Sequence, residues 1–522
     1  MRRRTFAEAD SNRRDFLKAA ATITALPMLG SRVQGVVRRR VAFADDPFSL
    51  GVTSGDPTSD GFVIQARLAT RPTEGGGMPS GNVEVRYEIA TDEAMKTVVK
   101  RGRTVATPQL GHSVHVEVRG LKPNRWYWYR FTAGDGRSRI GRTRTTPWNL
   151  ALPRELNFAF VSCQHYETGL FTGFEHMAKE KLDLVVHLGD YIYEYAGIDG
   201  RVRKHTGPEI TTLDHYRDRF GQYQSDPHLQ AAHAHCPWLV TWDDHEFDND
   251  YATFHSEEPG VDAVKFMKRR ASAYQAYYEH MPLRRTSLPK GAFMQLYRRV
   301  RFGRLADFAI LDTRQYRTPQ ANGNGLKPLA GEALDPNATI LGGKQEAWLK
   351  RKWLESKAEW NVMAQQVLMA RVDRLPGPPE GYPMDKWAGY EVCRQRVMQS
   401  LAEMRVPNPV VLTGDIHSNW VCDLPLDYSR HDKTVVGTEF VCTSISSGGN
   451  GKQKLDYTDG MIAENPWVKL HNAERGYVRC RVTPKQWTSD FQVVEDVTKP
   501  GSPLVTRCSY VVESGQPGAV KA

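Results

Sequence analysis

The sequence predicts a layered α/β domain preceded by a small β-sandwich of immunoglobulin or fibronectin type. Three observations predict it. Residues 45–150 alternate apolar and polar side chains with the two-residue period of half-buried strands; after Pro153 short apolar runs alternate with helical periodicity; and four of those runs end directly in polar residues able to bind metal. The 522 residues leave room for two or three domains, and 40% hydrophobic with 25% charged residues is ordinary globular usage, which excludes disorder throughout.

Residues 1–44 read as an export leader: a charged start, a weakly apolar run from Ala19 to Gly30, and a small-residue site at Ala42-Phe43-Ala44. Within it Asn12-Arg13-Arg14-Asp15-Phe16-Leu17-Lys18 resembles the twin-arginine signal. The expected partner is the twin-arginine export machinery, and the expected destination is the periplasm or the medium. The leader holds ten Lys/Arg against three Asp/Glu, so +7 of the net +10 belongs to it. The remainder has no basic excess that would mark a nucleic-acid-binding footprint. No uninterrupted apolar stretch approaches the roughly 20 residues of a membrane span, so a soluble mature protein without a stable span is expected.

In residues 45–150, Val83, Val85, Tyr87 and Ile89 alternate with polar residues, as do Val114, Val116 and Val118. The stretch Leu121-Lys122-Pro123-Asn124-Arg125-Trp126-Tyr127-Trp128-Tyr129 reads as the tyrosine corner of a sandwich. In residues 151–522 the expected strands are Leu156–Val161, Leu184–Leu188, Trp238–Trp242, Ala306–Leu311, Val362–Val367, Val410–Leu412 and Glu439–Cys442. Helical periodicity covers Val261–Met281, Gln345–Lys357 and Val392–Met404. Alternation returns in 476–515, as strands completing the same domain.

The chemistry gathers at strand ends. The first strand runs into Ser162-Cys163-Gln164-His165-Tyr166, the second into Gly189-Asp190-Tyr191-Ile192-Tyr193, the third into Asp243-Asp244-His245-Glu246, and a later one into Gly414-Asp415-Ile416-His417. In α/β sheets ligands collect beyond the carboxyl ends of strands. A glycine before Asp190 and before Asp415 is expected to let the backbone turn sharply there. Each residue alone has a duller explanation: Asp as a turn or cap, His as a hydrogen-bonded residue, Cys as a small buried hydrophobe. Their ordered recurrence after successive strands points to a metal site.

These motifs, together with Pro47-Phe48-Ser49-Leu50-Gly51-Val52-Thr53-Ser54-Gly55-Asp56-Pro57, His187-Leu188-Gly189-Asp190-Tyr191-Ile192-Tyr193-Glu194-Tyr195 and Leu311-Asp312-Thr313-Arg314, give the chain a resemblance to a known family. It resembles the calcineurin-like metallophosphoesterases and, within them, the PhoD-type alkaline phosphatases and phosphodiesterases. Two departures stand out. Asn249-Asp250 occupies the place of two asparagines, touching a calcium contact, and Gln65-Ala66-Arg67 replaces Trp-Thr-Arg in the sandwich.

The resemblance implies two mixed sheets flanked by helices. It implies a ferric ion (Fe3+) held by Cys163, Asp190, Tyr193 and His417. Asp190 would bridge to calcium (Ca2+), with Asp415 and an acidic residue of the Asp243-Asp244 pair on that side. By likeness to the Gly-Asn-His-Glu motif of the superfamily, Asp244 stands at the metal-binding Asn and His245 faces the phosphate as the catalytic residue; Asn249 is a further candidate ligand. The implied activity is that of an exported alkaline phosphatase or phosphodiesterase acting on small phosphate esters or diesters through metal-activated hydroxide. One alternative is a phospholipase-type phosphodiesterase acting on lipids. Another is a non-catalytic surface protein binding through its sandwich, which is expected to lack a core metal position, and none is missing.

Seven cysteines allow up to three disulfides with one thiol left over, and no CxxC pattern suggests structural zinc. If Cys163 is a thiolate ligand, six remain to pair. Cys480 with Cys508 is one pairing to test; two unpaired buried thiols is the other.

Overall fold

The central strands of the molecule follow from one pattern, side chains alternating between two buried faces. The computed structural model describes residues 37–38, 41–428 and 434–522. The paired arginines and the apolar run of the leader lie outside them. Along Leu156–Val161, Leu156, Phe158 and Phe160 point into one apolar core while Ala159 and Val161 point into another. A strand buried on both faces belongs between layers, where both faces must be apolar.

Those layers are two large sheets packed face to face with helices outside. The ten-stranded sheet runs in the order Gln516–Lys521, Leu504–Glu513, Gln486–Val494, Arg475–Val482, Leu156–Val161, Leu184–His187, Trp238–Val240, Thr53–Thr58, Gly61–Arg67, Ser113–Val118. The seven-stranded sheet runs Arg298–Phe302, Ala306–Ile310, Trp360–Ala364, Pro409–Thr413, Val435–Val441, Asn419–Pro425, Val468–Asn472. Phe158, Phe160 and Val186 meet Phe308, Ile310 and Leu412 between them. Tyr216, Phe220, Tyr274 and Tyr277 cover the outer face of the first sheet, and the helices Gly342–Glu355 and Glu391–Glu403 cover that of the second. At the centre of each sheet the strands are parallel, so their carboxyl ends open on one side.

The sandwich is the other end of the ten-stranded sheet. Thr53–Thr58, Gly61–Arg67 and Ser113–Val118 face a separate six-stranded sheet across a core of Phe62, Ile64, Val85, Ile89, Tyr129 and Phe131. The tyrosine corner forms: Tyr127 Oη accepts from the Lys122 N–H at 3.0 Å and donates to its carbonyl at 3.2 Å. Gly55 pairs with Trp238, joining the sandwich to the two-sheet layers through one continuous sheet. The departure at Gln65-Ala66-Arg67 therefore reaches beyond the sandwich. Gln65 Nε2 donates to the Glu279 carbonyl at 2.7 Å and Arg67 Nη1 lies 3.1 Å from His280 Nε2, both at the end of the helix Ala263–His280.

Of the two alternatives for Cys480 and Cys508, the disulfide does not form and the unpaired thiols hold. All seven cysteines are free thiols. Cys480 and Cys508 sit on strands that flank Gln486–Val494 on opposite sides, about 9–10 Å apart by strand spacing alone, beyond the reach of a disulfide. The helices Leu213–Gln224 and Pro227–His235 were not foreseen, although Thr212 and Asp226 cap them through side-chain oxygens.

Candidate metal centre

Each donor stands on a strand end, and the backbone there is bent to present it. Cys163, Asp190, Asp415 and His417 all have positive φ, at 58°, 55°, 66° and 54°. Non-glycine residues in that region are uncommon and gather where a fold over-determines them for a task. Gly189 turns at φ 108°, and a Cβ there would meet the Asp243 amide nitrogen at 2.4 Å. Gly414 needs no special turn, contrary to expectation. A Cβ there would lie 2.6 Å from the Ser162 side chain, so its role is to let two strand tips close.

Three strand ends bring together the four donors foreseen for iron. Ligand atoms of Cys163, Asp190 and His417 lie within 4.8 Å of one another. Tyr193 Oη donates to Asp190 Oδ2 at 2.9 Å and lies 3.2 Å from His417 Nε2. Beside them Asp243, Asp244 and Asp415 form a second group within the same span, and Asp190, Asp244 and His245 a third that joins the two. Asn249 lies at the margin: its amide N–H donates to Glu194 Oε1 at 3.0 Å and its Nδ2 to Glu257 Oε1 at 2.6 Å.

The donor set fits a pair of cations. Asp190 Oδ1, Asp243 Oδ2 and Asp244 Oδ1 are buried and accept no hydrogen bond. Orphaned buried carboxylate oxygens are costly unless a cation meets them. Burial, then the neighbouring Asp190, pushes the Cys163 thiol up; burial, then Asp190 and Cys163, does the same to the Tyr193 phenol. Burial, reinforced by Asp244, Glu246 and Asp415, raises Asp190 against the opposing pull of His245. A bound cation would reverse each of these shifts, since it stabilises the anions that burial penalises. Burial, then Arg475, holds His417 down at about 3, leaving the neutral imidazole that a metal requires.

Residues not singled out in the sequence complete the site. Arg314, fully buried, pairs with Asp243, with Asp415 at 3.0 Å, Asp385 at 3.1 Å, Asp244 at 3.4 Å and Asp250 at 3.7 Å. Lys386 pairs with Asp385 at 2.9 Å and with Asp415. Arg314 belonged to a motif quoted above, but its partners come from distant loops and no local spacing marks them. Glu194 Oε2 lies 2.8 Å from His245 Nδ1, leaving Nε2 for the site. Burial alone would lower His245; Glu194, then Asp190 and Asp244, outweigh it and hold the imidazole well above its usual range. Glu246 accepts the amide N–H groups of Asp190, Tyr191 and Asp243 at 3.0, 2.6 and 2.8 Å, tying two strand tips together. A further group, His165, Glu167 and His205, lies behind the site. Glu167 there accepts from the amides of Ile198 and His205 and from Arg201, so its carboxylate is already satisfied.

Comparison with known proteins follows the same lines. Residues 158–491 match the PhoD-like phosphatase family, and residues 35–147 match the PhoD-like phosphatase N-terminal domain. The chain is 47% identical over 530 residues to alkaline phosphatase D of Bacillus subtilis strain 168, covering 100% of this chain and 91% of that one. It also superposes on a solved structure of PhoD with a TM-score of 0.91 at 49% identity, covering 92% of this chain and 93% of that one.

Proposed function

Because the chain belongs to the PhoD-like phosphatase family, it is a phosphoric ester hydrolase, and we propose that its two donor clusters hold a ferric ion and calcium side by side. Cys163, Asp190, Tyr193 and His417 would hold iron: as thiolate, carboxylate and phenolate, three of them bring one negative charge each, which balances a trivalent ion, and the neutral imidazole completes the set. Asp190, Asp243, Asp244 and Asp415 offer the all-oxygen surroundings that calcium takes. Asn249 is a further calcium-side donor through Oδ1, since its Nδ2 is engaged by Glu257. Supporting this reading above all is the meeting of thiol, phenol, carboxyl and imidazole beside three carboxylate oxygens that no donor satisfies.

When bound, the metals would supply charge neutralisation for the phosphate and an acidified water. The chain supplies the rest. His245 carries a proton on the nitrogen not taken by Glu194 and delivers it to the departing alcohol oxygen. Glu194 fixes the ring and Tyr193 stacks against it at 4.1 Å, so the proton is held at one place. Arg314 and Lys386 hold the carboxylates that crowd the calcium side, limiting their mutual repulsion before metal binds.

Small phosphomonoesters or phosphodiesters are the substrates we favour. Lipid phosphodiesters are the alternative, favoured only if a phosphatidyl lipid is turned over faster than small esters. Export by the twin-arginine route agrees with a site whose metals would be loaded before translocation, and changing Arg13 and Arg14 together to Lys should strand the precursor in the cytoplasm. No helix among the described residues is long and apolar enough to cross a membrane. The experiment that tests the two-metal reading is selective chelation: removing calcium should abolish hydrolysis of a phosphate ester while iron stays bound, and calcium should restore it. Full activity with calcium demonstrably absent would overturn the reading.

A further inference from the structure

Tyr195 belongs to neither cluster, yet its ring stands beside the group that protonates the departing oxygen. Its centroid lies 5.4 Å from that of His245 with the planes at 67°, an edge-to-face contact. Tyr193 stacks on the same imidazole at 4.1 Å and 29°. The two tyrosines differ in access: Tyr193 is 2% exposed, Tyr195 40%. The backbone of Tyr195 is fixed, its carbonyl accepting from Arg219 Nη1 at 3.0 Å and lying 3.1 Å from His205 Nδ1. A large aromatic ring held out toward solvent on a pinned backbone is a surface made for contact.

The geometry of the reaction says with what. As water adds to phosphorus, the bond from phosphorus to the alcohol oxygen breaks, and that oxygen takes the proton of His245. One water is consumed, the proton it loses passes to solvent from which His245 is reprotonated, and an alcohol and a phosphate are released. Glu194 occupies Nδ1, so the departing oxygen must lie at Nε2. The carbon skeleton attached to it must run from the buried clusters toward solvent. Tyr193 stacks on one face of the imidazole in the buried interior, whereas Tyr195 meets the same imidazole edge-to-face and is 40% exposed, so its ring borders the imidazole where the protein surface begins.

We propose that Tyr195 is the specificity-determining wall of a leaving-group subsite, favouring phosphoesters of aromatic or other flat-faced alcohols over those of small aliphatic alcohols. This rests on the reading that the site hydrolyses phosphoesters with His245 as proton donor. A ring-to-ring contact of ordinary strength corresponds to a discrimination of about fivefold.

The test compares phenyl phosphate with ethyl phosphate on the metal-loaded protein, so that differences in leaving-group acidity cancel between wild type and variant. Binding of phenylphosphonate and methylphosphonate, which cannot turn over, is measured by calorimetry alongside. Tyr195→Ala should lower kcat/KM for phenyl phosphate about fivefold more than for ethyl phosphate, and should erase a matching share of the affinity advantage of phenylphosphonate. Tyr195→Phe should keep both, because it keeps the ring that makes the contact. Equal losses on both esters would make Tyr195 a support for His245 and overturn the proposal, as would no loss on either. A fully metal-loaded wild type that hydrolyses neither ester would overturn the hydrolytic reading itself, and that outcome is seen before any variant is compared.

Discussion

Tyr193 is the residue on which the choice of metal turns, because a phenolate on ferric iron absorbs visible light and carboxylates and imidazoles do not. Its ring lies between His165 at 4.4 Å and His245 at 4.1 Å, so Tyr193→Phe keeps the packing and removes only the donor oxygen. The expected outcome is a shifted or bleached visible band and a loss of activity, read by absorption spectroscopy and ester turnover. Tyr191→Phe should leave the band unchanged, since Tyr191 Oη lies 2.8 Å from His233 Nε2 in the core and away from the clusters. It should cost about 1 kcal/mol of stability. Cys163→Ser should weaken iron retention on dialysis, a neutral hydroxyl replacing an anionic sulfur. Glu194→Gln tests the orientation of His245: kcat should fall about 10–100-fold with KM little changed, the scale on which partners that orient a site residue act. An equal fall in affinity for a phosphonate would show instead that Glu194 shapes binding.

At the scale of elements, buried polar side chains bind strand tips into one platform. Glu439, on Val435–Val441, accepts the amide N–H groups of Met369 and Ala370 at 2.8 and 2.7 Å and the Thr413 hydroxyl at 2.6 Å. Burial, only partly offset by these donors, raises its carboxyl to about 7. A carboxyl raised in the folded state binds its proton more tightly there than in the unfolded chain, so stability is lost as pH rises from about 4.5 to about 7 and then levels off. Glu246, Asp248 and Asp250 are raised into the same window, so Glu439→Gln should reduce the slope by the share of Glu439, on the order of 3 kcal/mol across the window, in denaturant titrations at fixed pH steps. An unchanged slope would place the titration elsewhere.

The same scale explains what the sequence made legible. Leu156–Val161 and Pro409–Thr413 were readable because strands buried on both faces are apolar runs with sharp ends. Leu213–Gln224 and Pro227–His235 were not, because their buried sides carry Arg219, Gln222, Gln224 and His233, which blur helical periodicity. Asp226 before Pro227 was the signal available. The four residues that the family resemblance proposed as iron donors lie in short motifs at strand ends, where a local motif is enough to mark them as candidates. Arg314 and Asp385 meet across a sequence separation of 71, and no local pattern encodes that.

Over the whole molecule, the sandwich and the catalytic layers share a sheet and should unfold together. Besides the pairing of Gly55 with Trp238, Arg298 Nε donates to Asp56 Oδ1 at 2.7 Å and Thr53 Oγ1 lies 2.9 Å from His233 Nδ1. Calorimetry should give one cooperative transition; two well-separated transitions would show independent domains. The platform so held exists to keep two donor clusters in register, and their occupants can be measured on the purified native protein by elemental analysis with its visible spectrum recorded on the same sample. The account predicts a coloured protein with one iron per chain and at least one calcium. A colourless protein with stoichiometric zinc and no iron would contradict it.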